Sequence, residues 1–159
     1  VANHPDKYNF HDNVYIMEDL DEFVFHNGKQ AIVIPGAVSI DRSYRWERNW
    51  CWFSDEATPS LDKLEDKKKY SIIFSHSGPK PPCIVNDPGT DCGFFADCCK
   101  KDANLLKDLA DEQTYWSNAL KDIEPERIYF GHYHCSEDFE VDGVRCRVCD
   151  IGEIVPVIY

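Results

Sequence analysis

The chain is 159 residues long, enough for one domain with a real core, and 13% of it is aromatic, which excludes a disordered segment. Its formal net charge of −12 argues against non-specific nucleic-acid binding, which rests on Lys and Arg neutralising phosphates. No apolar stretch has the length of a membrane span and no basic-then-apolar leader opens the sequence, so nothing points to a membrane and the expected location is cytoplasmic.

Taken in chain order, Glu22 to His26 and Lys29 to Ile34 are apolar-rich runs around Asn27-Gly28, a two-residue hairpin signal. Pro35-Gly36 opens a loop, Ala37 to Asp55, rich in Arg and Trp. Ser60 to Lys69 reads as a short exposed helix, and Tyr70 to Phe74 as a buried strand. Residues Gly78 to Cys99 are dense in Pro, Gly, Asp and Cys and read as a long irregular loop, of the kind that forms lids or binding walls.

Asp102 to Lys121 carries Leu105, Leu106, Leu109, Tyr115, Trp116, Ala119 and Leu120 at helical spacing, with a break expected near Asp111. Pro125 ends that helix and Arg127 to Phe130 re-enters a sheet. Glu137 to Val141 and Val144 to Cys149 flank Asp142-Gly143, a second hairpin, and Ile151 to Tyr159 reads as a last strand. This mixed order predicts an α/β layered fold in one domain, residues 1–159, rather than an all-β one.

The eight cysteines are many for this length, yet the chain is longer than the small secreted scaffolds that depend on disulfides. Reduced thiols are the expectation, with Cys135 a packing thiol. Cys146 and Cys149 make a poor zinc pair, because strand alternation points residues three apart to opposite faces.

The histidines carry the chemistry. Phe74-Ser75-His76-Ser77-Gly78 and Phe130-Gly131-His132-Tyr133-His134 each follow directly on an apolar run. Both clusters therefore belong on loops leaving strand ends, where open α/β sheets bind ligands. Imidazole is the commonest metal-binding side chain, so three histidines at two strand exits imply a shared metal centre. His11 and His26, by contrast, read as surface or packing histidines.

In these blocks the sequence resembles the calcineurin-like metallophosphoesterases, from their asparagine-histidine block onward. Ser75-His76 and Gly131-His132-Tyr133-His134 match the two late histidine blocks of that family. Ala2-Asn3-His4-Pro5-Asp6 matches the earlier one, with Ala where the family has Gly. The segment Ile34 to Arg42, then Arg45 and Trp50 to Glu56, is similar to small prokaryotic and phage members.

The resemblance implies a β-sandwich layered with flanking helices and hydrolysis of phosphate mono- or diesters at a dinuclear centre. It implies that Asn3, His76 and His132 hold one ion and that His134 helps hold the other. His4 would be the acid that protonates the leaving-group oxygen. Mn, Fe, Zn or Co suits such ligands, two ions per complete site. Arg42 is the candidate for gripping the substrate phosphate, with Arg45 nearby.

Family members carry aspartate motifs ahead of the asparagine-histidine block, and only two residues precede Asn3 here. The expectation is thus a chain holding the C-terminal half of the site, the remaining Asp and His ligands coming from a missing N-terminal segment or a separate chain. Nucleic acid enters only as a possible substrate. Two other readings compete: a non-catalytic metal-binding or scaffold module derived from the family, and a cysteine-rich zinc-binding interaction domain.

Overall fold

The structure is a computed structural model, and it describes residues 9–11, 14–15, 17–50, 58–84 and 93–157. Its centre is a six-stranded mixed sheet. The strands are β3 (Glu22–Val24), β4 (Gln30–Ile34), β5 (Tyr70–Ser75), β6 (Arg127–Phe130), β7 (Glu137–Val141) and β8 (Val144–Val148), laid out in the order β3-β4-β5-β6-β8-β7. A separate two-stranded ladder joins β1 (Asn9–His11) to β2 (Val14–Tyr15).

The four central strands, β4, β5, β6 and β8, run parallel, and antiparallel hairpin partners β3 and β7 close the two edges. Parallel strands covered on both faces read as nearly continuous apolar runs, which is why Tyr70 to Phe74 and Ile128 to Phe130 stand out in the sequence. The mixed α/β class expected from the element order is what the chain adopts.

Among the described residues three α-helices accompany the sheet: α1 (Arg42–Glu47), α2 (Phe94–Lys101) and α3 (Leu105–Ile123). On one sheet face, Trp116, Ala119, Leu120 and Ile123 of α3 pack against Ile32, Ile34, Ile73, Ile128 and Val148. Apolar area removed from water at this contact stabilises the fold by roughly 25 cal/mol per Å². The opposite face gathers Ala31, Ile72 and Tyr129 under Phe23, Phe25, Phe74, Val155 and Val157. A third cluster, Phe95, Cys98 and Leu105 with Val38, Ile40, Tyr44 and Leu109, ties α2 and the loop after β4 to the start of α3.

The differences from expectation have identifiable causes. The first hairpin turns from Phe25 to Lys29, wider than two residues, because the Phe25 N–H donates to the Lys29 carbonyl and Asn27 Oδ1 caps the Lys29 N–H. Ser60 to Lys69 forms two 3₁₀ turns, Leu61–Lys63 and Lys67–Lys69, and Leu61 is buried in the main core rather than exposed. Helix α3 runs through Asp111 without a break and stops where Glu124 turns left-handed at φ 52° just before Pro125.

Helix α1 and most of α2 fall inside stretches read as loops. Both are short, and Arg, Trp, Gly and Cys around them hide their periodicity. Residues 151–157 form no strand, since β8 is already paired on both sides and the chain leaving it meets no open ladder. Val155 and Val157 pack onto the second sheet face instead. Among the described residues no helix is long and apolar enough to cross a membrane.

Candidate metal centre at the ends of the parallel strands

Because β4, β5, β6 and β8 point the same way, they release four loops along one edge of the sheet. The loop after β4 brings Ser39 and Asp41, and α1 brings Arg45; β5 is followed by His76; β6 by His132 and His134; β8 by Cys149 and Asp150. All of these line one cavity of about 720 Å³. This is the crevice beyond the carboxyl ends of the strands that α/β sheets use for ligands.

The backbone fixes the histidine loops against one another. The Gly131 N–H donates to the His76 carbonyl at 3.0 Å, and the Cys149 N–H to the Phe130 carbonyl at 2.8 Å, so the ladder extends past the strand ends. The His76 and His132 rings meet edge to face, 5.2 Å between centroids. His132 and His134 both sit in the left-handed region, φ 70° and 51°, with Tyr133 between them. Such conformations cost on the order of 1–3 kcal/mol each for a residue with a Cβ, and they collect where function requires them.

His132 is held as a neutral imidazole. Burial, and then the charges of His76 and His134, lower its pKa from 6.5 to about 4, outweighing a hydrogen bond to the Val38 backbone that favours the protonated ring. A neutral ring keeps one lone pair, which is what metal ligation needs.

Behind the histidines, α3 presents Glu112 and Gln113. The Glu112 carboxylate is 5% exposed and accepts the Val38 N–H at 2.9 Å; burial raises its pKa. Gln113 binds both strand exits: its Oε1 accepts the Lys80 N–H at 2.8 Å, and its Nε2 donates to the Tyr133 hydroxyl at 2.9 Å. The Tyr133 hydroxyl donates in turn to the Gly78 carbonyl at 3.0 Å. Burial pushes that phenol up to about 12, so it remains a donor across the whole neutral range.

The expected site residues divide as follows. His76, His132 and His134 come together in the cavity, while Asn3 and His4 lie outside the described residues. Arg42 is turned away: its Nε binds Asp102 at 2.5 Å and its Nη2 binds Asp108 at 2.6 Å, pinning α1 to the start of α3. Arg45, one turn on, lines the cavity instead. Its Nε donates to Asp41 at 2.9 Å, and among the described residues its terminal nitrogens make no hydrogen bond.

Cys83 and Cys135 are paired as a disulfide, 52 residues apart, which corrects the reading of Cys135 as a packing thiol. Spacing alone does not reveal a pairing between two loops. Cys98, Cys99, Cys146 and Cys149 are free; Cys51 and Cys92 lie outside the described residues.

Glu112 was not singled out by its sequence position, although a signal exists. It stands on the same helical stripe as Leu105, Leu109, Trp116, Ala119 and Ile123, a carboxylate where the pattern calls for an apolar residue.

As a donor set for a cation, the cavity offers neutral imidazole of the right type. Among the described residues, no three His, Cys, Asp or Glu side chains form a closed cage. The histidines thus fit a divalent transition metal in kind and fall short in number. No protein-family model and no curated protein matches this chain.

Proposed function

We propose that this chain carries part of the active centre of a metal-dependent phosphoesterase of the calcineurin-like kind, hydrolysing phosphate mono- or diesters. One observation supports the reading above the others: three histidines from two adjacent parallel strands share a cavity, and one of them is kept neutral there. Under this reading His76 and His132 hold one divalent ion together with Asn3, and His134 contributes to a second. Mn, Fe, Zn and Co are the ions that imidazole suits. When bound, the ions supply Lewis-acid charge for the phosphoryl group and acidify water.

The protein's own part is to place groups. Arg45, rather than Arg42, offers the two free ends of its guanidinium fork to a phosphate oxygen pair while Asp41 holds its Nε. His4 gives a proton to the leaving oxygen. Carboxylate ligands from a further segment or chain complete the site, and a layered β-sandwich is the finer architecture that goes with it. The alternative, a non-catalytic metal-binding module, draws on the incomplete cage among the described residues. The Cys83–Cys135 disulfide weighs against the cytoplasmic setting expected from the sequence, and alkylation within cells that finds both thiols free would restore it.

The test is a cobalt titration of the purified chain followed by visible absorption, then bis-p-nitrophenyl phosphate hydrolysis with and without the segment supplying the aspartates. Cobalt bands lost on changing His76 and His132 to Ala, with turnover only in the completed protein, fit the proposal. Cobalt binding indifferent to all three histidines sinks it, and binding without turnover in the completed protein selects the non-catalytic module.

A further inference from the structure

We propose that the cavity at the strand ends selects phosphate esters whose alcohol carries a flat aromatic ring, the ring lying on Phe94 while Arg45 takes the phosphate. This preference rests on the reading of the cavity as a phosphoester site.

Phe94 and Phe95 open α2 side by side and serve different ends. Phe95 is 8% exposed and packs into the cluster with Cys98 and Leu105, whereas Phe94 is 53% exposed and lines the cavity. Ligand cavities are walled by apolar and aromatic side chains of this kind, with a few placed polar groups. Phe94 is also held in place: its ring lies 5.1 Å from that of Tyr44, at an interplanar angle of 30°. Tyr44 is fixed in turn by Lys101, whose Nζ sits 3.9 Å over the Tyr44 ring and pairs with Glu47 at 2.5 Å. A ring already fixed loses little side-chain freedom when a ligand stacks on it.

Charge fits the other end of the same molecule. Arg45 follows Tyr44 on α1 and is, among the described residues, the one Lys or Arg that lines the cavity. Asp41 engages its Nε at 2.9 Å, which leaves the terminal nitrogens for one phosphate group. Asp41, Glu112 and Asp150 line the cavity too, and they would set like charges against a second phosphate. The volume, about 720 Å³, is far more than a lone phosphate fills. The occupant therefore brings an uncharged organic group as well. Ile84 and Ile151 offer apolar surface to any hydrocarbon, but only a flat ring extends the Phe94–Tyr44 stack.

Two matched pairs of esters read this preference on the purified chain with cobalt present: phenyl against cyclohexyl phosphate, and adenosine monophosphate against ribose phosphate. Affinities come from calorimetric competition with inorganic phosphate. The flat member of at least one pair should bind about 5-fold or more tighter, the lower end of base–aromatic stacking. The pair with the larger ratio tells a simple aryl group from a nucleobase. Phe94→Leu keeps apolar bulk without a π face and should bring the ratio to within about 2-fold, while Phe94→Trp should keep it. Arg45→Ala should weaken both members of a pair.

Equal binding of flat and saturated esters in both pairs overturns the proposal, as does a ratio that survives Phe94→Leu. Flat-ester affinity indifferent to Arg45→Ala overturns it too, because ring and phosphate then do not share the cavity. In those cases competition by inorganic phosphate leaves the phosphoester reading standing. A chain that binds no inorganic phosphate refutes that reading and this proposal together. If Phe94→Leu does not fold, Phe94→Ala is read in the same way.

Discussion

Gly78 stands where the β5 exit crosses the end of β6, and replacing it by Ala gives a sharp test of how tightly the two histidine loops are locked. A Cβ at that position would lie 2.7–2.8 Å from three atoms of the Phe130 ring. Ordinary carbon contacts sit near 3.5–4.0 Å, so the ring or the loop must move by about 1 Å. Phe130 is 3% exposed and wedged edge to face between Tyr133 and Phe139, so it has nowhere to go. Overpacking of this kind costs typically 1–3 kcal/mol, against which Gly→Ala regains about 0.4–1 kcal/mol from the unfolded chain. The net expectation is a loss of roughly 1–2 kcal/mol, read as a fall in the urea midpoint at constant slope. Phe130→Leu in the same chain should relieve the clash, so a double-mutant cycle should give a favourable coupling on the order of 1 kcal/mol. Additive effects, or a stabilised Gly78→Ala, would refute the close approach on which the loop geometry depends.

Acid should destabilise the metal-free protein through His132, because an unfolded histidine titrates near 6.5 and the folded one near 4. Above pH 6.5 the group has no effect; as pH falls from there to about 4 the unfolded state takes up the proton first, and the loss reaches roughly 3 kcal/mol at 1.36 kcal/mol per pH unit. His132→Asn, which tolerates the left-handed backbone, should flatten urea stability across that interval, and an unaltered slope would count against a buried neutral ring. Arg42→Ala should lower stability by about 1–3 kcal/mol by freeing Asp102 and Asp108 and leave phosphate affinity alone, while Arg45→Ala should do the reverse; calorimetric phosphate titration in the presence of metal separates them. Reducing the Cys83–Cys135 bond should cost about 2–4 kcal/mol for a loop of 52 residues, and alkylation of both thiols without reductant would show that they are unpaired.

The parts of the fold readable in the sequence are those governed by local rules. Tyr70 to Ser75 and Arg127 to Phe130 are interior parallel strands whose middles, Ile72 to Phe74 and Ile128 to Phe130, read as apolar runs, and Asp142-Gly143 sets a tight hairpin with both residues left-handed at φ 50° and 83°. What was hidden depends on contacts distant in sequence. Nothing near Arg42 distinguishes it from Arg45; the choice is made by Asp102 and Asp108, sixty residues on and more. Likewise Cys83 finds Cys135, and Glu112 finds Val38, only once α3 lies across the sheet. The disposition of residues 151–157 was set by sheet order, which no alternation pattern within the segment encodes.

The histidine loop itself shows how these levels meet. Phe130 ends β6 in the core, and the Gly131 N–H then donates to the His76 carbonyl at 3.0 Å. From there the backbone places both His132 and His134 in left-handed conformations, an arrangement that an isolated peptide would avoid at about 1–3 kcal/mol per residue. That cost is met by the Tyr133 side chain between them, whose hydroxyl is fixed by Gly78 and Gln113, and by the strand-end hydrogen bonds on either side. A surface loop free to relax would shed the strain. Its retention, with His132 buried and uncharged, is the physical reason to read the two histidines as placed for a ligand rather than left over from folding.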